Sequence, residues 1–391
     1  MAGNGASRCV RAAAAFRSGS MAPSARDELF EKLLNECPID MAQVKALAFQ
    51  GVPEHLRSSY WKLLLGFLPP DRTAWTDAVA AKRSEYEELK AEFLVDPRLA
   101  GGAADDFEAD LRDVTDEELD ALAGDATASD PLHPLAPPTE NAKRAILERS
   151  RTLLTDIHKD VRRTYASFHF FRPHQYASLR NILVVFGLRH ADVGYVQGLN
   201  ELVAPIYFVF ANCADESERE NAEVATYFCF ENLLEHCKDA FQVAADSATT
   251  GAGINGAMRL FALLIDRMDP HLSLRLKTIE IEPAFYAFRW LSLLLAKEFL
   301  LPDLMRLWDS TFALPGAERA EWTRYVGLAL LLASRQQLMD AAFPEAMSLL
   351  QSPHVADIDK LIKHAAELRE SDTAARMDDE KTFRLGQLNL V

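Results

Sequence analysis

One arginine and one glutamine in this sequence each lie within a short motif, and together they suit the chemistry of phosphoryl transfer. Arg163 lies within residues 157–164, which read IHKDVRRT, and Gln197 lies 34 residues further on, within residues 195–198, which read YVQG. A planar guanidinium group neutralises the charge that develops on a transferred phosphoryl group, and a neutral amide orients the attacking water. A protein with both side chains could complete the nucleotide site of a GTPase.

Taken singly, each motif also has an ordinary structural explanation. Asp160 and Arg163 have the i,i+3 spacing of ion pairs that are common and weak on helix surfaces. Gln197 precedes a helical stretch, where a glutamine often caps the helix or simply lies at the surface. The occurrence of both motifs in this order favours the catalytic interpretation.

Together, the motifs resemble the signatures I-x-x-D-x-x-R-T and Y-x-Q-G of the TBC-domain family of Rab GTPase-activating proteins. Both signatures are matched without a substitution, and the resemblance extends from around Ala46 to around Leu350. Residues 227–232 and 287–291 are similar to those of one animal member of the family. Further matches are found at Gly51-Val52-Pro53, at Arg57 and Trp61 in the spacing R-x-x-x-W, at residues 198–201 (GLNE) and at residues 302–309 (PDLMRLWD).

The resemblance implies a catalytic role for each of the two principal side chains. Arg163 would stabilise the charge on the transferred group, and Gln197 would orient water in place of the GTPase's own glutamine. Both side chains would thus be supplied in trans to the partner. The family register selects Arg163 over its neighbour Arg162.

The elements that must position these side chains are helices and the turns that follow them. If residues 153–160 end a helix, Ile157 and Asp160 share one face, and Arg163 leaves just beyond the last turn. Ile157 would then anchor the turn in the core, and Asp160 would hold the guanidinium group. An arginine oriented before its partner binds loses less conformational entropy on binding.

The glutamine is expected to project from the start of a helix. Gln197 follows a turn at Val193-Gly194 and precedes a helix over residues 199–210. Four residues are expected to support the two motifs: Thr164 as the last residue of the arginine motif, Tyr195 packed beneath the glutamine turn, Gly198 permitting close approach of a partner backbone, and Asn200 tying the motif loops together.

Apolar residues recur at helical spacing almost throughout, and strand-like alternation is rare, which predicts an all-α protein. The resemblance implies the two-lobed helical TBC fold. The expected organisation is an N-terminal lobe at residues 27–245 with both motifs, a weak break at 246–256, a C-terminal lobe at 246–371 and a tail at 372–391. Four further residues are expected to serve packing or buried polar contacts: Arg57, Trp61, Trp308 and Asp309.

The formal net charge of -16 is concentrated in one segment. Residues 96–140 contain 13 acidic and two basic residues, so 2 minus 13 gives -11 of that total. We expect an acidic, disordered insertion at residues 96–138, with a regulatory or steering role as the alternative. The overall acidity disfavours nucleic acid and anionic membrane surfaces as partners, so a protein partner is expected.

Several site types find no match in the sequence. The five cysteines are scattered and form no C-x-x-C pair, which argues against a disulfide framework and a structural zinc site. The P-loop pattern G-x-x-x-x-G-K-[ST] does not occur. We therefore expect this chain to bind no cofactor or metal, with GTP and magnesium carried by the partner GTPase.

The sequence also bears on location. No apolar run reaches the roughly 18 residues that a bilayer-spanning helix needs. We expect a cytoplasmic protein recruited to endomembranes through its partner. Residues 1–26 contain four arginines and no acidic residue. This composition fits a disordered tail, with an organelle-targeting segment or a translation start at Met21 as alternatives.

These features predict a GTPase-activating protein for a Rab-family small GTPase, acting in vesicle trafficking. Such a protein is a catalytic activator with no independent hydrolase site of its own. The alternative is a non-catalytic helical module that binds or scaffolds a GTPase or another trafficking protein. Intact Arg163 and Gln197 argue against that alternative, because a scaffold has no need of either side chain.

Overall fold

The structure is a computed structural model, and it describes residues 25–94, 153–235 and 253–388. Three predicted features lie wholly or largely outside these ranges: the N-terminal tail, the acidic insertion at 96–138 and the break at 246–256. Within the described ranges the chain forms helices and connecting segments, and no strand occurs there. The all-α prediction is confirmed.

The α-helices, in chain order, are α1 (Ala25–Leu34), α2 (Met41–Phe49), α3 (Arg57–Leu64), α4 (Trp75–Phe93), α5 (residues 153–163), α6 (Pro173–Arg189), α7 (Leu199–Ala211), α8 (Glu216–Glu220), α9 (Ala222–Glu235), α10 (Gly253–Met268), α11 (Pro270–Thr278), α12 (Ala287–Ser292), α13 (Leu301–Ala313), α14 (Gly316–Ala333), α15 (Arg335–Asp340), α16 (Phe343–Gln351) and α17 (Ile358–Leu388). Short 3-10 helices lie at Glu54–Leu56, Arg72–Ala74 and Pro283–Phe285. None of the helices in the described part of the chain is long and apolar enough to cross a membrane.

The chain divides into two compact units, each made of two sequence segments. The first comprises Met1–Met41 and Pro53–Leu234, and the second comprises Ala42–Val52 and Glu235–Val391. This division differs from the expected lobes, which placed all of residues 27–245 together. The 11 residues from Ala42 to Val52 belong instead with the second unit.

The core of the first unit is built around α7. Residues 199–210 are all buried, including the charged Glu201. A helix that is apolar around most of its circumference is stable only when other elements enclose it. Two residues of α3 support this core: Trp61 is fully buried, and Tyr60 donates a hydrogen bond from its hydroxyl to the carbonyl of Phe30 at 3.0 Å. Arg57, at the start of α3, is buried as well.

Contacts within the second unit explain why Ala42–Val52 belongs to it. The backbone N–H of Val52 donates to the Asp309 carboxylate at 2.9 Å, and Arg306 donates to the carbonyl of Phe49 at 3.3 Å. Gly51 has a φ of 100°, and a Cβ atom there would lie 2.8 Å from Nε of Arg306. Buried Asp309 thus satisfies a backbone donor that is 257 residues away in sequence.

Trp308 is an anchor of the second unit, and its loss should be costly. The side chain is fully buried, and Nε1 donates to the carbonyl of Leu294 at 3.0 Å. We expect Trp308→Ala to lower the free energy of unfolding by about 3–5 kcal/mol, because it leaves a large cavity and an unpaired carbonyl. Urea denaturation followed by circular dichroism measures this loss.

The control for Trp308 is an exposed apolar residue beside the same helix. Leu300 immediately precedes α13 and is 51% exposed. Leu300→Ala should change the free energy of unfolding by no more than about 0.5 kcal/mol. If the two variants unfolded at the same urea concentration, Trp308 would not be a core anchor.

The expected tail at residues 372–391 is instead largely part of a helix. Helix α17 continues to Leu388, and Asp372 is 1% exposed. Its carboxylate accepts hydrogen bonds from the Tyr325 hydroxyl at 2.6 Å and from Nη2 of Arg267 at 2.6 Å. Residues 372–391 are rich in charge, but the carboxylate of Asp372 is satisfied by the buried Tyr325 of α14 and by the exposed Arg267 of α10.

Candidate functional site

The arginine motif lies at the end of α5. This helix continues through Arg163, three residues beyond the predicted end at Asp160. The continuation has a local cause, because both the backbone N–H and the hydroxyl of Thr164 donate to the carbonyl of Asp160, at 3.1 and 2.9 Å. Arg163 therefore lies in the last helical turn, and the chain changes direction at Tyr165, where φ is 46°.

The inner face of α5 is apolar. Ile157 and Val161 are fully buried, one turn apart, and Leu154 is 5% exposed. Such i, i+3 and i+4 spacing places these side chains along one stripe of the helix. Ile157 thus lies where an anchor for the arginine motif is required.

The glutamine motif lies on the segment between α6 and α7. His190 caps the end of α6, and its carbonyl accepts hydrogen bonds from the backbone N–H groups of Val193 and Gly194, at 3.1 and 2.7 Å. The turn predicted at Val193-Gly194 is therefore present. Gln197 is exposed, two residues before the first residue of α7.

Gly198 is required by the backbone itself. It precedes α7 as the N-cap residue with a φ of 107°, a conformation that residues with a Cβ atom rarely adopt. Glycine at this position lets the chain turn sharply from the exposed Gln197 into the buried α7. This backbone role stands beside the predicted one, in which Gly198 permits close approach of a partner.

Four side chains join the two motifs through hydrogen bonds, and we call them the motif ring: Asp160, Thr164, Tyr195 and Asn200. The Tyr195 hydroxyl donates to Oδ2 of Asp160 at 2.8 Å and lies 3.3 Å from Oδ1 of Asn200. Nδ2 of Asn200 donates to the Thr164 hydroxyl oxygen at 2.7 Å. Because the Thr164 hydroxyl donates in turn to the Asp160 carbonyl, the ring closes on α5.

The motif ring is largely shielded from water. Thr164, Asn200 and Asp160 are 0, 3 and 8% exposed. Burial raises the pKa of the Tyr195 hydroxyl, and the hydrogen bond to Asp160 and the negative charge of that carboxylate raise it further. Tyr195 therefore remains a hydrogen-bond donor throughout the physiological range. Buried, mutually satisfied polar groups of this kind hold their segments in one arrangement.

Asp160 does not hold the Arg163 guanidinium, contrary to the expectation from sequence. Its carboxylate accepts from Tyr195 instead. Arg163 is exposed and has no hydrogen bond or ion pair with any residue in the described ranges. The physical reason is that a partly buried tyrosine hydroxyl needs an acceptor, whereas an exposed guanidinium group is solvated by water.

The neighbouring Arg162 has a different environment. Burial raises the pKa of the Tyr176 hydroxyl, and the positive charge of Arg162 opposes that shift. Arg162 therefore lies near Tyr176, whose hydroxyl is 3.5 Å from the carbonyl of Thr164. Of the two adjacent arginines, Arg163 is the one without a hydrogen bond or ion pair within the described ranges.

Two structural contributors to this site were not identified as such from the sequence. A Cβ atom on Gly187, in α6, would lie 2.8 Å from Cδ1 of Leu153 and 3.4 Å from the backbone nitrogen of Tyr195, so glycine lets both motif segments approach α6. His190 binds Oε1 of Glu231, on α9, at 2.7 Å. His190 and Glu231 are 41 residues apart, so the sequence holds no signal for their pairing. The position of Gly187 inside an apolar helical run, in contrast, is a signal of close packing that the sequence does contain.

Glu231 contacts His190, the residue at which the glutamine segment begins, and it does so as a carboxylate. Burial raises its pKa, but hydrogen bonds and charge from His190 and Arg189 outweigh burial, so the pKa lies below its ordinary value of 4.5. A carboxyl with a lower pKa in the folded state stabilises the fold above its unfolded-state pKa. That contribution is lost as the pH falls through the folded-state pKa.

We expect Glu231→Gln to be less stable than the parent chain near neutral pH, with a difference that shrinks as the pH falls below 4.5. Urea unfolding of both proteins at a series of pH values measures this difference. A difference that persists unchanged in acid would show that packing, not ionisation, accounts for the role of Glu231.

Comparison with known proteins identifies the class that this fold and site define. The family model for the Rab-GTPase-TBC domain matches residues 138–339, which include both motifs. The chain belongs to the RabGAP-TBC family. It is 30% identical over 411 residues to TBC1 domain family member 13 of mouse and also of human, with 88% of this chain and 97% of each relative covered. The animal member that residues 227–232 and 287–291 suggested is this relative, and the resemblance of the chain to it is confirmed.

A solved structure supports the fold independently. The crystal structure of the Ypt/Rab-GAP domain of Gyp1p matches with a TM-score of 0.67 at 22% identity, covering 88% of this chain and 98% of that chain. The Chlamydomonas flagellar RabGAP TBC domain matches with a TM-score of 0.52 at 17% identity, covering 92% of this chain and 93% of that chain. The predicted TBC-type helical fold is therefore confirmed.

Proposed function

We propose that this chain accelerates GTP hydrolysis by a Rab-family small GTPase and supplies Arg163 and Gln197 in trans. The observation that carries the proposal is the motif ring, which ties the last turn of α5 to the segment before α7 and leaves both side chains exposed. Exposure is what a side chain needs if it is to enter another protein's nucleotide site.

Each of the two side chains has a distinct task in this proposal. Arg163 stabilises the charge that develops as the γ-phosphoryl group is transferred, and a guanidinium group suits this because it is planar and always charged. Gln197 orients the attacking water through its amide. No covalent intermediate on this chain is involved, and the reaction takes place on nucleotide bound to the partner.

The nucleotide and metal belong to the partner in this proposal. The partner GTPase carries GTP and magnesium, because the sequence of this chain has no P-loop. The activator thus resets a Rab on the membrane where that Rab resides, which makes it a regulator of vesicle trafficking. Its own contact with the membrane is through the partner.

Phosphate release from a panel of GTP-loaded Rab proteins tests this proposal. A panel is needed because the motifs do not select one Rab. With the chain at a small fraction of the Rab concentration, we expect at least one Rab to hydrolyse its GTP over many turnovers of activator, at a rate raised by about 10³ to 10⁵. Arg163→Ala serves as the control for catalysis.

The alternative, a binding or scaffold module, predicts another result in the same assay. A scaffold would bind a GTP-loaded Rab in stoichiometric amounts and leave its hydrolysis rate at the intrinsic value. Binding measured by calorimetry, with no stimulation for any Rab that binds, would overturn the proposed function.

A further inference from the structure

We infer that Asp160 is a positioning residue for Gln197, acting through Tyr195, and not for Arg163. This inference rests on the proposed function and assigns a motif residue to one of its two catalytic side chains. It follows from the partners of Asp160 in the described structure, since its carboxylate accepts from Tyr195 and has no hydrogen bond or ion pair with Arg163 there.

The path from Asp160 to Gln197 is short. Tyr195 lies two residues before Gln197, and Asn200 lies three residues after it. Both ends of this segment are held by the motif ring: Tyr195 by the Asp160 carboxylate at 2.8 Å, and Asn200 by the Thr164 hydroxyl at 2.7 Å. With both ends fixed to α5, the backbone that carries Gln197 has little freedom.

The hydrogen bond from Tyr195 to Asp160 has the properties of a strong one. Its acceptor is a carboxylate that is 8% exposed, and charge-assisted hydrogen bonds are shorter and stronger than neutral ones. The competing acceptor for the same hydroxyl proton, Oδ1 of Asn200, lies farther away at 3.3 Å. Removing the carboxylate would leave Tyr195 with the weaker partner alone.

Arg163 is held differently from Gln197. Its position is fixed only by the helical backbone of α5, and its guanidinium group has no partner in the described ranges. Gln197 is also exposed and has no side-chain partner in the described ranges, so the motif ring sets the backbone on either side of Gln197, whereas the backbone of Arg163 is set by α5 itself. Both side chains would become ordered only in the complex.

Two double-mutant cycles on the full chain test this assignment by the kcat of stimulated hydrolysis. We expect Asp160→Ala and Tyr195→Phe each to lower kcat about tenfold, and the double variant to be no worse than either. In the second cycle, Asp160→Ala combined with Gln197→Ala should be no worse than Gln197→Ala alone. The KM for the GTP-loaded Rab should stay within about twofold throughout, because the docking surface is intact.

Asp160→Asn provides the conservative rescue. Its amide oxygen still accepts from Tyr195, so we expect a loss of no more than about threefold. Thermal unfolding of every variant checks that the fold is retained, and Tyr195→Phe keeps the test usable if Asp160→Ala fails to fold, since it removes only a hydroxyl group.

Multiplicative losses in either cycle would overturn the inference, because Asp160 would then act on a group other than Tyr195 or Gln197. A rise in KM with unchanged kcat would also overturn it. Failure of the proposed function is a separate outcome, recognised by a parent chain that stimulates no Rab or by an Arg163→Ala variant with full activity.

Discussion

Arg163→Ala is expected to abolish nearly all stimulation of GTP hydrolysis, lowering the stimulated rate by about 10³-fold or more. In the proposed mechanism this side chain neutralises the transferred phosphoryl group, and no water molecule can replace a fixed positive charge there. Arg163 is exposed in the last turn of α5, so its removal should leave the fold intact. Single-turnover phosphate release with a responsive Rab measures the loss.

Two matched variants show whether the effect belongs to this guanidinium group. Arg162→Ala removes the same charge one residue earlier and should retain the activity of the parent, because Arg162 lies near Tyr176. Arg163→Lys keeps the charge and loses the planar fork, so it should remain strongly impaired. Equal losses for Arg162→Ala and Arg163→Ala would mean that the register of the motif is wrong.

The features of the site that are local in sequence could be predicted. The turn at Val193-Gly194, the start of a helix at Leu199 and the burial of Ile157 all depend on residues within a few positions of one another. Periodicity and glycine placement report such features directly. Local patterns alone do not distinguish Arg163 and Gln197 from ordinary surface residues. The family motifs are what select them.

The partner of Asp160 could not be predicted in the same way. Sequence spacing suggested an ion pair within one helix, whereas the fold brings Tyr195, 35 residues away, to the carboxylate. A buried hydroxyl group that lacks an acceptor is costly, and an exposed arginine that lacks a partner is not. Whether Tyr195 or Arg163 pairs with the Asp160 carboxylate therefore depends on which side chain the tertiary structure buries. A short sequence motif does not contain that information.

The division into units illustrates the same limit on a larger scale. Residues 42–52 are near the N-terminus but pack with elements that follow residue 300, through the contacts of Val52 with Asp309 and of Phe49 with Arg306. Linear composition identifies breaks and tails, but it does not reveal which segment crosses between units. Helix α17 shows the converse, since a charged stretch that resembles a tail is held by buried Asp372.

Gln197→Ala is expected to reduce stimulated hydrolysis by about 10²-fold while binding of the GTP-loaded Rab is largely retained. In the proposed mechanism the glutamine amide orients one water molecule through hydrogen bonds, a smaller contribution than that of a full charge. Since Gln197 is exposed and lies outside the motif ring, its truncation leaves the hydrogen bonds of Asp160 and Asn200 in place. The loss should therefore appear in kcat, with KM nearly unchanged.

Separate measurements of binding and turnover distinguish a loss of catalysis from a loss of affinity for the Rab. Calorimetry with a Rab loaded with a non-hydrolysable GTP analogue gives the affinity, and single-turnover phosphate release gives the rate. Gln337→Ala, which truncates another exposed glutamine, on α15, is the control and should match the parent in both. A Gln197→Ala variant with the full rate would leave the partner's own glutamine to orient the water, and Arg163 would then be the single catalytic side chain that this chain supplies.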